Sequence, residues 1–60
     1  MMDAYILREL NSGRLINSID DKIHYANHIG SAIKFPTDSE ADYYLKDNGL
    51  AWYNFGVERA

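Results

Sequence analysis

The sequence has no cysteine, which excludes disulfide staples and thiolate metal sites and points to a reducing compartment, the cytoplasm. No apolar run approaches the ~20 residues of a membrane span, and no basic segment leads into a signal-peptide core. Basic residues are few: six Lys and Arg stand against nine Asp and Glu, for a formal net charge of −3. They are scattered rather than gathered in a stripe, so binding to a phosphate backbone is not expected. Gly13, Gly30, Gly49 and Gly56 are dispersed, with no phosphate-cradling run. Internal repeats, low-complexity tracts and linkers are absent as well. The chain opens with Met1 and carries no visible tag, so a complete short gene product is expected.

A chain of 60 residues is one small domain at most, spanning residues 1–60. Ordering it costs roughly 1.5 kcal/mol per residue, about what burial of its apolar area returns. A marginal monomer is expected, helped by a dimer contact or a bound partner. With Tyr, Trp, Phe and Ile spread along the whole length, 47% hydrophobic residues argue against disorder.

What is present is clearest between Phe35 and Tyr53. Thr37 and Glu40 form a capping box: the Thr37 hydroxyl can accept from the Glu40 N–H, and the Glu40 carboxylate can accept from the Thr37 N–H. Pro36 prevents an upstream helix from running into this one and keeps Phe35 extended. Asp38, Glu40 and Asp42 favour the helix N-terminus electrostatically, and Lys46 favours the last turn. Gly49 can take the left-handed conformation at C′. With Asn48 as Ccap, Leu45 and Leu50 make the hydrophobic contact of a Schellman motif. Asn48-Gly49 also suits a type I′ hairpin turn, but Asp42 to Asp47 is a poor strand flank. The net negative charge belongs to this segment: Asp38, Glu40, Asp42 and Asp47 face Lys46 alone, whereas acids and bases balance elsewhere.

Upstream, Ala4 to Leu10 is rich in β-compatible side chains, and Asn11-Ser12-Gly13 is a turn cluster. Leu15 to Ile19 follows, with Leu15, Asn17 and Ile19 on one face, completing a hairpin. Residues 18–30 admit two readings. Ser18 can cap a short helix bearing Ile19, Ile23 and Ala26, or Asp20-Asp21 can turn the chain into a third strand, Lys22 to Tyr25, followed by a loop. Alternation of Ile23 and Tyr25 with Lys22 and His24 favours the strand. Ala32 to Phe35 then returns extended. After the helix, alternation would place Ala51, Tyr53, Phe55 and Val57 toward the core and Trp52 on the opposite sheet face. The fold class is therefore α+β: a small antiparallel β-meander, one capped α-helix covering one sheet face, and a C-terminal strand.

The phrase Ala32-x-x-Phe35-x-Thr37-x-x-Glu40-Ala41, with the short helix, Gly49 and terminal strand behind it, resembles a pattern in small uncharacterised phage and bacterial domains. A similar phrase occurs near the end of an accessory subunit of respiratory complex I. The resemblance covers the second half of the chain. Its residues are a cap and a strand–helix junction, so it implies a fold and a phage or mobile-element origin but transfers no functional residue.

Catalytic constellations are not found. His24 and His28 are four apart, as in metal-binding helical pairs, but Tyr25-Ala26-Asn27 lacks the glutamate of zinc hydrolases, and a strand reading removes the spacing's meaning. Ser12, Ser18, Ser31 and Ser39 sit beside turn or cap signals and outside any G-x-S-x-G elbow. Asp20-Asp21 suits a turn for backbone reasons. A chain this short also struggles to enclose a dry pocket of ~300 Å³ or more. No enzyme activity, cofactor or metal is expected.

On a helical wheel Ala41, Tyr44 and Leu45 form the buried stripe, and Tyr43 points away among Ser39, Glu40, Lys46 and Asp47. An exposed tyrosine ringed by carboxylates fits a protein-contact surface; the plainer account is a solvated face whose acids serve the dipole and solubility. Trp52 is a second candidate for an interface. The expected function is a non-enzymatic protein-binding module, a phage or mobile-element inhibitor or accessory protein of the anti-defence (anti-CRISPR) type. Its contacts would be Glu40, Tyr43, Asp47 and Trp52. Two alternatives are a single-stranded nucleic-acid binder using sheet aromatics with Arg8, Arg14 and Lys34, and a structural homodimer that buries Trp52.

Overall fold

The computed structural model describes residues 4–60. Four strands, β1 (Tyr5–Glu9), β2 (Leu15–Ile19), β3 (Ile23–Ala26) and β4 (Phe55–Arg59), form one sheet in the order β3-β2-β1-β4, and α1 (Asp38–Asp47) separates β3 from β4. All pairings are antiparallel. The α+β architecture is the expected one, and residues 23–26 form a strand rather than a helix.

Each turn is made by its own side chains. At the β1–β2 turn Gly13 takes φ +74°, its N–H donates to the Glu9 carbonyl at 2.8 Å, and the Ser12 hydroxyl donates to the Glu9 carboxylate at 2.5 Å. At the β2–β3 turn the Lys22 N–H donates to Asp20 Oδ1 at 3.0 Å, an Asx turn. Half of the expected capping box forms at the start of α1: the Glu40 N–H donates to Thr37 Oγ1 at 3.2 Å, but the Glu40 carboxylate does not reach back to the Thr37 N–H. It ends in a Schellman motif, with Gly49 at φ +73° and N–H donations from Gly49 to the Lys46 carbonyl and from Leu50 to the Leu45 carbonyl, both at 3.0 Å.

One face of the sheet packs on α1 through Leu7, Ile16, Ala41, Leu45 and Phe55, with Ile19, Ile23, Tyr25, Tyr44 and Leu50 around them. The face of β2 departs from simple alternation. The register against β3 slips between Ile16 and Ser18, a bulge at Asn17 that puts both Ile16 and Ile19 against the core; Asn17 is exposed, and its Nδ2 donates to the Ser31 carbonyl at 2.7 Å. Strands β1 and β2 meet at Arg8 and Leu15. Further along, the returning segment bonds to both: Tyr5 and Phe35 exchange backbone bonds of 2.8 and 2.9 Å, and the Ile33 N–H donates to the Ile16 carbonyl at 3.0 Å. This extended piece fixes Phe35 and Pro36 at the start of α1.

The C-terminal expectation needs correction. Trp52–Asn54 is a 3-10 turn, and Tyr53 is 66% exposed and Val57 36%, so only Phe55 of those three reaches the core. The reason is the ladder. For Tyr53, Phe55 already pairs with Glu9, the last residue of β1, and beyond it only the Leu10 N–H reaches across, to the Asn54 carbonyl at 2.9 Å. Val57 does pair, opposite Leu7, but on the edge strand of the sheet. Trp52 is accordingly not on a sheet face. It lies on the turn, 57% exposed.

Candidate protein-contact groove

Helix α1 presents two faces. Ala41 and Leu45 are buried, whereas Tyr43 is 68% exposed. Tyr44 lies between them: its ring packs on Phe35 with centroids 5.2 Å apart, and its hydroxyl accepts from the Ile19 N–H at 2.9 Å. That bond ties α1 to β2, because a buried-side tyrosine must satisfy its hydroxyl.

The junction of the extended segment with α1 leaves an open groove of about 520 Å³. Phe35, Pro36, Tyr43 and Tyr44 line it with predominantly apolar surface, together with Ser39, Glu40 and Asp47. Glu40, Tyr43 and Asp47 are at i, i+3 and i+7, so one helix stripe carries them into the same groove. The structure thus brings three of the sequence-predicted contact residues together. Trp52 stands outside this groove, in an edge-to-face pair with Tyr53 at 5.8 Å. Phe35, Pro36 and Tyr44 belong to the lining but were absent from the sequence-predicted contact set. Tyr44, next to Tyr43 and four residues after Glu40, was the signal that the stripe had an apolar side.

Most of the described acidic positions outside the groove are engaged, Asp38 in the first turn of α1 being the exception. Glu9 accepts from Tyr25 Oη at 2.9 Å, Asp42 pairs with Lys46 at 2.9 Å, and Glu58 pairs with Arg8 at 2.6 Å. Asp20 accepts from the Lys22 N–H and lies 3.0 Å from His24 Nε2. Among the described residues the carboxylates of Glu40 and Asp47 have neither an ion pair nor a hydrogen-bond partner, and the Tyr43 ring has no aromatic or cationic neighbour. Two groups with displaced pKa values lie away from the groove. Asp20 is lowered to about 2, chiefly by the Lys22 N–H, then by a hydrogen bond with Asp21 and by His24, against opposing desolvation. The Tyr25 phenol is raised, first by its hydrogen bond to Glu9 and then by desolvation.

The basic residues considered for nucleic acid are engaged within the fold. Arg8 holds Glu58 and the Gly13 carbonyl, Arg14 lies over the Tyr25 ring at 3.9 Å, and Lys34 donates to the Ile29 and Ala32 carbonyls. His28 Nδ1 accepts from the Gly30 N–H at 3.1 Å, so it serves a turn. Among the described residues no cluster of three metal-ligating side chains occurs, and no helix is long and apolar enough to cross a membrane. No buried side-chain nitrogen or oxygen among them lacks a partner. In comparisons with known proteins, no family model, curated protein or solved structure matches the chain.

Proposed function

We propose that this chain is a non-enzymatic protein-binding module that uses the groove face of α1, acting as an inhibitor or accessory factor of phage or mobile-element origin in the cytoplasm of its host. The observation that carries the reading is the convergence of Tyr43, Glu40 and Asp47 on one apolar groove, with the ring and both carboxylates unpartnered. A solvated helix face requires charges, but it does not require an exposed tyrosine beside a Phe35–Pro36–Tyr44 floor. Aromatic anchors in grooves with a polar rim are the energetic centres of protein interfaces.

The test is joint replacement of Glu40, Tyr43 and Asp47 by Ala, followed by affinity capture from host-cell lysate and mass spectrometry. A partner retained by the natural chain and lost by the triple variant supports the reading. Equal capture by both would sink it. The three side chains are exposed, so the fold is expected to survive, which circular dichroism checks.

The homodimer reading keeps one observation in its favour, the exposed Trp52–Tyr53 pair outside the groove. It predicts a concentration-dependent mass in sedimentation and protection of Trp52 from a soluble quencher. A nucleic-acid reading is weakened by the engagement of Arg8, Arg14 and Lys34 within the fold.

A further inference from the structure

The groove's chemistry narrows what it accepts. Along α1, Glu40 precedes Tyr43 by three residues and Asp47 follows it by four, so an acidic residue stands about one turn, roughly 4–6 Å along the helix axis, to either side of Tyr43 on the same stripe. The nearest helix cation, Lys46, is held by Asp42 at 2.9 Å and leaves these charges uncompensated. Beside them lies the apolar floor of Phe35, Pro36 and Tyr44. The complement is a cation that can lie flat on a ring, reach a carboxylate in the same pose, and bring an aliphatic neighbour.

Of the two basic side chains, arginine meets this best. Its planar guanidinium stacks on an aromatic face and offers a fork of donors to a carboxylate, whereas lysine presents a compact, strongly hydrated point charge. The molecule already uses the stacking half of this arrangement internally: the Arg14 guanidinium lies 3.9 Å over the Tyr25 ring, whose hydroxyl donates to Glu9. Arg59 approaches the Tyr5 ring at 5.8 Å. At Tyr43 the ring and acids are in place without the cation.

Resting on the reading of α1 as a protein-contact face, we propose that the groove seats an arginine-bearing peptide segment of the partner. The guanidinium lies on Tyr43 within reach of Glu40 and Asp47, and an adjacent aliphatic side chain settles on Phe35, Pro36 and Tyr44. Specificity then resides in the carboxylates and affinity in the ring and floor.

Selection from a displayed random-peptide library, with the natural chain as bait, tests this. Expected is enrichment of peptides with arginine beside an aliphatic residue. Their binding should weaken by about tenfold in the Glu40→Gln/Asp47→Asn double variant, as for loss of a charge-assisted pair, and should weaken when the peptide arginine is replaced by lysine. Enriched peptides without arginine that still require Tyr43, or arginine peptides indifferent to the double variant, overturn the arginine assignment while leaving the contact face standing. No enrichment over a Tyr43→Ala bait overturns both.

Discussion

The carboxylates of the described residues divide by whether the fold satisfies them: Asp38 joins Glu40 and Asp47 without a side-chain partner, but it lies in the first turn of α1 and outside the groove. Glu9, Asp20, Asp42 and Glu58 each hold a named partner. Asp20 is the most committed: the Lys22 N–H, Asp21 and His24 favour its ionised form and hold it at about 2 against an ordinary value of 3.8. Because its pKa is lower folded than unfolded, ionised Asp20 contributes stability above 3.8, and that contribution is lost as pH falls from there toward 2. Asp20→Asn keeps an acceptor for the Lys22 N–H but removes the titration. The variant's urea midpoint is expected to fall less steeply with acid across this window than the natural chain's. Parallel slopes would mean that the turn does not prefer the ionised form.

Helix α1 shows how local signals and function share one element. Thr37 and Gly49 bracket it, and neither lines the groove. Thr37→Ala removes the acceptor of the Glu40 N–H and should cost about 1 kcal/mol. Gly49→Ala should cost roughly 1–2 kcal/mol, wholly from its φ of +73°, because an added Cβ there meets no atom within 4 Å. Both are read from urea midpoints; an unchanged midpoint in either variant would mean that the cap is not holding the helix end. These caps were legible in the sequence because they are local: a hydroxyl and an N–H three residues apart, a glycine where φ is positive. Tyr43's outward position was legible for the same reason, since a 3.6-residue period fixes it. What escaped depends on distant partners. The bulge at Asn17 depends on β3, the insertion of 33–35 depends on Tyr5 and Ile16, and the start of β4 at Phe55 depends on where β1 ends. Alternation at Tyr53 looked strand-like, yet alternation alone does not provide a neighbour to bond; Val57 does pair with Leu7, but on the edge strand β4, where it stays exposed.

At the scale of the whole molecule, the core and the groove lie on adjacent faces of the same helix, so stability and binding are linked. At roughly 0.05–0.15 kcal/mol per residue, a chain this size has about 3–9 kcal/mol to lose. Leu45 is 1% exposed among Leu7, Ile16, Ala41 and Phe55, and Leu45→Ala should cost about 2–5 kcal/mol through lost transfer energy and a cavity. Its backbone carbonyl still accepts from Leu50, so the Schellman end survives. The variant is expected to be substantially unfolded or to melt at much lower urea than the natural chain. A peptide that binds the groove should reverse part of this loss. Phe35 and Pro36 come to Tyr43 and Tyr44 only through the Tyr5–Phe35 pairing and the packing of α1, so the unfolded chain offers no groove. Free peptide at a hundredfold excess over its Kd then stabilises by about 2.7 kcal/mol, enough to restore a cooperative transition in Leu45→Ala. A selected peptide that binds the natural chain but leaves the melting of Leu45→Ala unchanged would show that its site does not require the fold, and so is not this groove.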